Sequence, residues 1–203
     1  PYLRDLEREF LIDAFDSGWI SASGPYNKKL EDEFSKFCGA QYGSTVSNGT
    51  VALHLAVRAM GLKKGDEVIV PNFNGIYGAY ALLYEGITPV PIEAESDTWN
   101  IDPELIEEKI TKKTKAIMVV HLYGHPCDMD KIQAIADKYG LLIIEDAAEA
   151  HGAEYKSRKV GSLGDISTFS MYANKIMTSG EGGIITTNHK KYYENIEYLK
   201  NQC

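Results

Sequence analysis

Apolar positions along this chain follow two spacings that take turns. In 5–15 (DLEREFLIDAF) they fall three and four apart, the period of an amphipathic helix. Segment 28–38 (KKLEDEFSKFC) repeats the pattern and meets Gly39, a residue suited to a helix C-terminus. Segment 50–60 (TVALHLAVRAM) predicts a third helix, stopping before Gly61. The pattern then shortens: EVIVP, 67–71, reads as a buried strand, YGAYALLYEG as a helix and ITPVPIE as a strand. PELIEEKI, 103–110, predicts a helix with proline in its first turn and Asp102 as N-cap. KAIMVV is a strand, 129–140 (MDKIQAIADKYG) a helix closed by Gly140 with Asp128 or Asp130 near its start, and LLIIED a strand. DISTFSM and GGIITT add two strands, and KKYYENIEYLK, 190–200, a last helix.

Strands and helices alternating in this way predict right-handed crossovers and a mainly parallel sheet. Helices on both faces explain why the strands are unbroken apolar runs. The expected fold is a three-layer α/β/α sandwich without repeats, low-complexity linkers or an internal boundary. In such a sheet ligands bind beyond the carboxyl ends of the strands, so chemistry is sought there.

Composition narrows the function classes. The 203 residues are 44% hydrophobic and 25% charged, enough for one sizeable core and unlike a disordered chain. The net charge of -8 and the lack of a basic block argue against nucleic acid; ITKKTK, around Lys113, reads as a solvated helix end. Runs such as AIMVV are too short to span a bilayer, and no signal peptide opens the chain. Three widely spaced cysteines (Cys38, Cys127 and Cys203) give no disulfide framework and fit a reducing cytoplasm.

Four strand ends carry polar residues. Ser47, Asn48, Gly49 and Thr50 precede a helix, where free N–H groups and the helix dipole favour an anion and Gly49 lets a phosphate approach the backbone. The same residues also suit a plain N-cap. Asp146 ends LLIIED, with Glu149 three residues on. A carboxylate there needs a partner, either a protonated ring nitrogen, a metal or an arginine, unless it only caps a helix. Lys175 follows Ser170 among Asn, Thr and Gly. It is either solvated or an amine able to form a Schiff base with a carbonyl. His121, His125, Cys127 and Asp128 raise a metal reading, but Gly124 and Pro126 break the helix that would align the histidines, so a loop over a polar site is expected instead. A phosphate cradle, an acid for a ring nitrogen and a lysine for an aldehyde are together the needs of pyridoxal 5'-phosphate.

The strings SNGTVALHLA, DTWNID, VVHLYGHPCDMD, IIEDAAEAHGA, KVGSLGDISTFS and NKIMTSGEGG also resemble the DegT/DnrJ/EryC1/StrS sugar aminotransferases, of the aspartate aminotransferase superfamily, fold type I. The likeness runs from GWISASGP to the last helix and looks nearest to enzymes of the perosamine or viosamine synthase kind. The resemblance implies a cofactor-binding large domain over 1–203, with the family's smaller C-terminal domain outside this chain. It implies transfer of an amino group from glutamate to C4 of a nucleotide-linked 4-keto-6-deoxy sugar in a cytoplasmic homodimer. It makes Lys175 the Schiff-base lysine and Asp146 the partner of the ring nitrogen. Glu149 falls near the cofactor's 3-hydroxyl, and Asn48, Gly49, Thr50 and Ser170 at its phosphate. Tyr26, Tyr77, Tyr123 and His125 would face substrate. Relatives that act as dehydratases carry histidine in place of the lysine, and Lys175 argues against that activity. The family's aromatic residue that stacks on the cofactor ring is replaced by Gly75, with Phe73 or Tyr77 as substitutes. Two other readings stand beside this one: a cofactor domain that assembles without turnover, and another fold type I enzyme acting on small amino acids.

Overall fold

A computed structural model describes residues 2–201. Two helices lead, α1 (Asp5–Asp16) and α2 (Pro25–Cys38), the second stopped by Gly39 at φ 75°. Then follow β1 (Tyr42–Val46), α3 (Gly49–Ala59), β2 (Glu67–Pro71), α4 (Tyr77–Tyr84), β3 (Thr88–Ile92), β4 (Thr114–Val120), α5 (Met129–Tyr139) and β5 (Leu142–Asp146). A two-residue hairpin, β6 (Glu154–Tyr155) and β7 (Arg158–Lys159), precedes β8 (Ile166–Ser170), β9 (Gly183–Thr187) and α6 (Lys190–Lys200).

The main sheet has the order β1-β9-β8-β5-β4-β2-β3. Its pairs are parallel from β8 to β3, and β9 runs antiparallel between β8 and β1. One face packs on α2 and α5 through Phe34, Cys38, Ile132, Ile143 and Phe169. The other packs on α3, α4 and α6 through Leu53, Val57, Leu82, Ile144 and Ile196. The expected three-layer sandwich is therefore present. Side-chain alternation puts Ile143 and Glu145 on one face and Ile144 and Asp146 on the other.

Two local expectations differ from the structure. Segment 103–110 is not an α-helix but two single 3-10 turns, Pro103–Leu105 and Glu107–Lys109, although Asp102 does accept a hydrogen bond from the Glu104 N–H as a cap would. Eight residues make a marginal helix, and burial of Ile106 between the turns decides the path. The β6–β7 hairpin has no sequence signature, because its turn residues Lys156 and Ser157 take φ of 49° and 65° without being glycine.

Candidate active site

Strands β4, β5 and β8 lie side by side, in register at Val120 with Asp146 and Asp146 with Thr168. Their carboxyl ends therefore gather His121, Asp146 and Ser170 in one place. Asp146 is only 9% exposed. Among the described residues its carboxylate accepts one hydrogen bond, from the Ala148 N–H at 3.1 Å. Burial pushes the Asp146 carboxyl above its ordinary range, against the pull of that N–H and of the nearby Lys175 charge. No helix follows Asp146, so its role as a helix cap is set aside.

Lys175 is carried by the loop between β8 and β9. The loop is closed on Met171, whose N–H donates to the Gly182 carbonyl and whose own carbonyl accepts from Ser179 N–H and the Thr178 hydroxyl. A turn from Tyr172 to Lys175 then directs the amine inward, where Nζ meets Glu149 Oε1 at 3.0 Å. The Lys175 side chain keeps 17% of its exposure. Glu149 also accepts from the Tyr123 backbone N–H, tying the strand β4 loop to the lysine.

Asn48 caps α3, its side chain accepting from the Val51 N–H at 2.8 Å, and the N–H groups of Gly49 and Thr50 belong to the first turn, where the helix supplies no partner. A Cβ on Gly49 would lie 2.9 Å from the Ser170 Cβ. Glycine there lets the end of β8 abut the start of α3, which brings the Ser170 hydroxyl beside those N–H groups. A Cβ on Gly183 would sit 2.7 Å from the Asn48 carbonyl. Gly183 therefore serves close contact between β9 and the Asn48 loop.

Two cavities meet at this point. The first, about 570 Å³, is lined by Asn48, Gly49, Thr50, Ser170 and Glu181 among others. The second, about 340 Å³, includes Phe73, Gly75, Tyr123 and Glu149. Four residues line both: Tyr77, Asp146, Ala148 and Lys175. The structure thus brings together Asn48, Gly49, Thr50, Tyr77, Tyr123, Asp146, Glu149, Ser170 and Lys175. It does not bring in His125, which is exposed and lines neither cavity, nor Tyr26, whose hydroxyl bonds Asp13. Thr168 and Ala148 were missed in the sequence, yet each lies two residues from a chosen one, on the same strand face or just past the strand end.

Among the described residues no group of three or more His, Cys, Asp or Glu side chains forms a metal-ligand set. His121 borders the second cavity but is tied into a buried network with Glu145. Its Nε2 lies 3.1 Å from Glu145 Oε2, and the Cys127 N–H donates to its Nδ1. An N–H aimed at Nδ1 requires a lone pair there, which assigns the ring proton to Nε2.

A parallel sheet with an anion cradle, a lysine and a buried carboxylate at adjacent strand ends defines an α/β domain built for a phosphorylated ring cofactor. The family model described as the DegT/DnrJ/EryC1/StrS aminotransferase family matches residues 1–203, and the chain belongs to that family. It is 50% identical over 202 residues to a GDP-perosamine synthase of Escherichia coli O157:H7, covering 100% of this chain and 56% of the relative. It superposes with a TM-score of 0.95 on an aminotransferase from Psychrobacter cryohalolentis at 40% identity, covering 99% of this chain and 51% of that one. A Streptococcus pneumoniae protein described as a sugar aminotransferase, solved in a PLP-form, gives a TM-score of 0.92 at 31% identity, with 98% and 56% covered. The chain therefore spans about half the length of the proteins it matches. No helix among the described residues is long and apolar enough to cross a membrane.

The residues present fit pyridoxal 5'-phosphate, the family's cofactor. Gly49, Thr50 and Ser170 would hold its phosphate, the under-partnered Asp146 carboxylate would face its ring nitrogen, and Lys175 would present its amine to the aldehyde.

Proposed function

We propose that the protein carrying this chain is a pyridoxal-phosphate-dependent aminotransferase that moves an amino group from glutamate to C4 of a nucleotide-linked 4-keto-6-deoxy sugar. The observation that carries the reading is the junction of the two cavities. The α3 N-terminus and Ser170 lie at one end, Asp146 and Lys175 at the shared centre, and the cavity bordered by Phe73, Tyr123 and Glu149 at the other. When bound, the cofactor supplies a reactive aldehyde and an electron-accepting ring. Asp146 holds the proton on the ring nitrogen, and its under-satisfied, buried carboxylate suits a cationic partner. Lys175 would take and return a proton at the substrate's reacting carbon. Glu149 positions the amine through the 3.0 Å contact. Tyr123 is assigned to substrate through its place in the second cavity, whereas His125 lines neither cavity.

Residues 1–203 form the cofactor-binding large domain in this reading. The protein works as a homodimer, supported by α1, which buries no residue while presenting Leu6, Phe10, Leu11 and Phe15.

The test is spectroscopic and needs the purified protein at its natural length. With pyridoxal phosphate it gives a near-visible band from the lysine-bound cofactor, glutamate bleaches it, and a nucleotide keto sugar restores it. Lys175→Ala removes the band and lowers turnover at least about 10²–10⁴-fold. A wild-type protein with no band, or a band bleached by other amino donors but never restored by a keto sugar, would overturn the assignment. Light scattering that gives a monomer would remove the homodimer.

A further inference from the structure

Residues 97–102 (DTWNID) line neither cavity, yet one of them holds the wall of the second in place. The segment is shaped by Glu95, whose carboxylate accepts from the Asp97 and Thr98 N–H groups, each at 2.6 Å, and bends the chain into a tight turn. Trp99 leaves that turn at φ 64°, in left-handed backbone that a bulky residue seldom adopts. Asn100 follows it and is drawn inward, only 3% exposed.

The Asn100 amide clamps the turn that follows β4. Its Oδ1 accepts from the Leu122 N–H at 3.1 Å, and its Nδ2 donates to the His125 carbonyl at 3.0 Å. An ionised aspartate, the side chain nearest in shape, could not donate the second bond. Tyr123 lies between the two clamped residues, at φ 49°. Left-handed backbone costs a non-glycine residue on the order of 1–2 kcal/mol, so the turn depends on bonds that hold it from outside. The Tyr123 N–H donates to Glu149 Oε2 at 3.3 Å, and a Cβ on Gly124 would stand 3.0 Å from the Glu149 carbonyl. The turn therefore rests on Glu149 at two points. The other carboxylate oxygen of Glu149 meets Lys175 Nζ at 3.0 Å.

We propose that Asn100 is a positioning residue for Lys175. It fixes the 122–125 turn, the turn fixes the Glu149 carboxylate, and Glu149 fixes the direction of the amine. The left-handed backbone at Tyr123 is the strained link, and it relaxes first when the clamp is lost. The proposal rests on the cofactor reading above.

The test uses the natural-length protein loaded with pyridoxal phosphate. It reads the circular dichroism of the near-visible band per unit absorbance, kcat, and the urea midpoint. Asn100→Ala lowers the dichroism ratio at least twofold and kcat about 10–100-fold, as misplacing a reacting group from a distance does. In a Glu149→Ala background the same substitution changes each by less than about twofold, because the link is already cut. Tyr123→Gly relieves the strain and keeps the N–H, so it recovers most of the dichroism ratio lost in Asn100→Ala. Asn100→Asp keeps the acceptor for Leu122 and loses the donor to His125; it gives the same pattern and carries the test if the alanine variant does not fold. Equal losses in the wild-type and Glu149→Ala backgrounds, no recovery by Tyr123→Gly, or a lowered urea midpoint with dichroism ratio and kcat unchanged each overturns the proposal while the wild-type band stands. Wild-type protein that gives no band overturns the cofactor reading itself, and this proposal with it.

Discussion

Glu145 and Asp146 are adjacent carboxylates at the end of one strand, and they face opposite sides of the sheet. Glu145 is fully buried and accepts five hydrogen bonds, from His121 Nε2, the N–H groups of Gly161, Leu163 and Gly164, and the Ser167 hydroxyl. Burial alone would raise its carboxyl, but the His121 bond and the other donors outweigh burial and hold it below the ordinary range. Asp146 is nearly as buried and accepts one such bond among the described residues, and its carboxyl is pushed up. A buried charge supplied with donors from its own fold is structure. A buried charge left short of them, beside a cavity, is a site awaiting a partner.

The comparison breaks most directly at Glu145. Glu145→Ala strands three backbone N–H groups, a hydroxyl and an imidazole in the interior. It should lower unfolding free energy by about 3–5 kcal/mol in a urea titration. A loss under about 1 kcal/mol would mean that the network is not what holds the 161–164 loop.

Asp146→Asn should show the reverse balance. Turnover falls about 10²–10³-fold, comparable to removing one preorganised electrostatic contact, while stability of the cofactor-free protein holds or rises at neutral pH. The pH dependence follows from the signs. Asp146's folded pKa lies above its ordinary 3.8, so the ionised form disfavours the folded state at neutral pH, and the difference between Asp146→Asn and wild type shrinks as pH falls through the raised value. Glu145's folded pKa lies below 4.5, so its contribution is complete above that pH and fades as pH falls through the lowered value. Melting curves of both variants between neutral and acid pH read this contrast. A stability loss in Asp146→Asn equal to that of Glu145→Ala would erase it.

The smallest expected effect separates satisfaction from location. Asn48 borders the first cavity, yet its side chain is already used by the Val51 N–H. Asn48→Ala should cost about 1 kcal/mol of stability, as loss of a helix cap does. An unchanged urea midpoint would show that the cap contributes nothing there.

Much of the fold was legible because local rules and tertiary packing agree. The strands LIIED and ISTFS are buried along their length apart from the half-buried Leu142, and helices cover both faces of the sheet. The exceptions arose where burial overrode local pattern. Ile106 drew 103–110 into two short turns, and Lys156 with Ser157 took left-handed backbone that no glycine announced. In the site, Lys175, Asp146 and the Asn48–Thr50 turn could be chosen from strand ends alone. His125 could not be judged, because Pro126 and the Leu122–Gly124 turn decide where that loop faces.

By itself the sequence determined the alternation of strands and helices, the family, and the three residue types the cofactor needs. Those depend on spacing and chemistry along the chain. Tertiary structure alone decided that Glu145 and Asp146 have opposite lives, that His121 belongs to a structural network, and that Asn100 clamps the turn carrying Tyr123. Each of those facts depends on which side chains meet across elements far apart in the chain, and spacing carries no record of that.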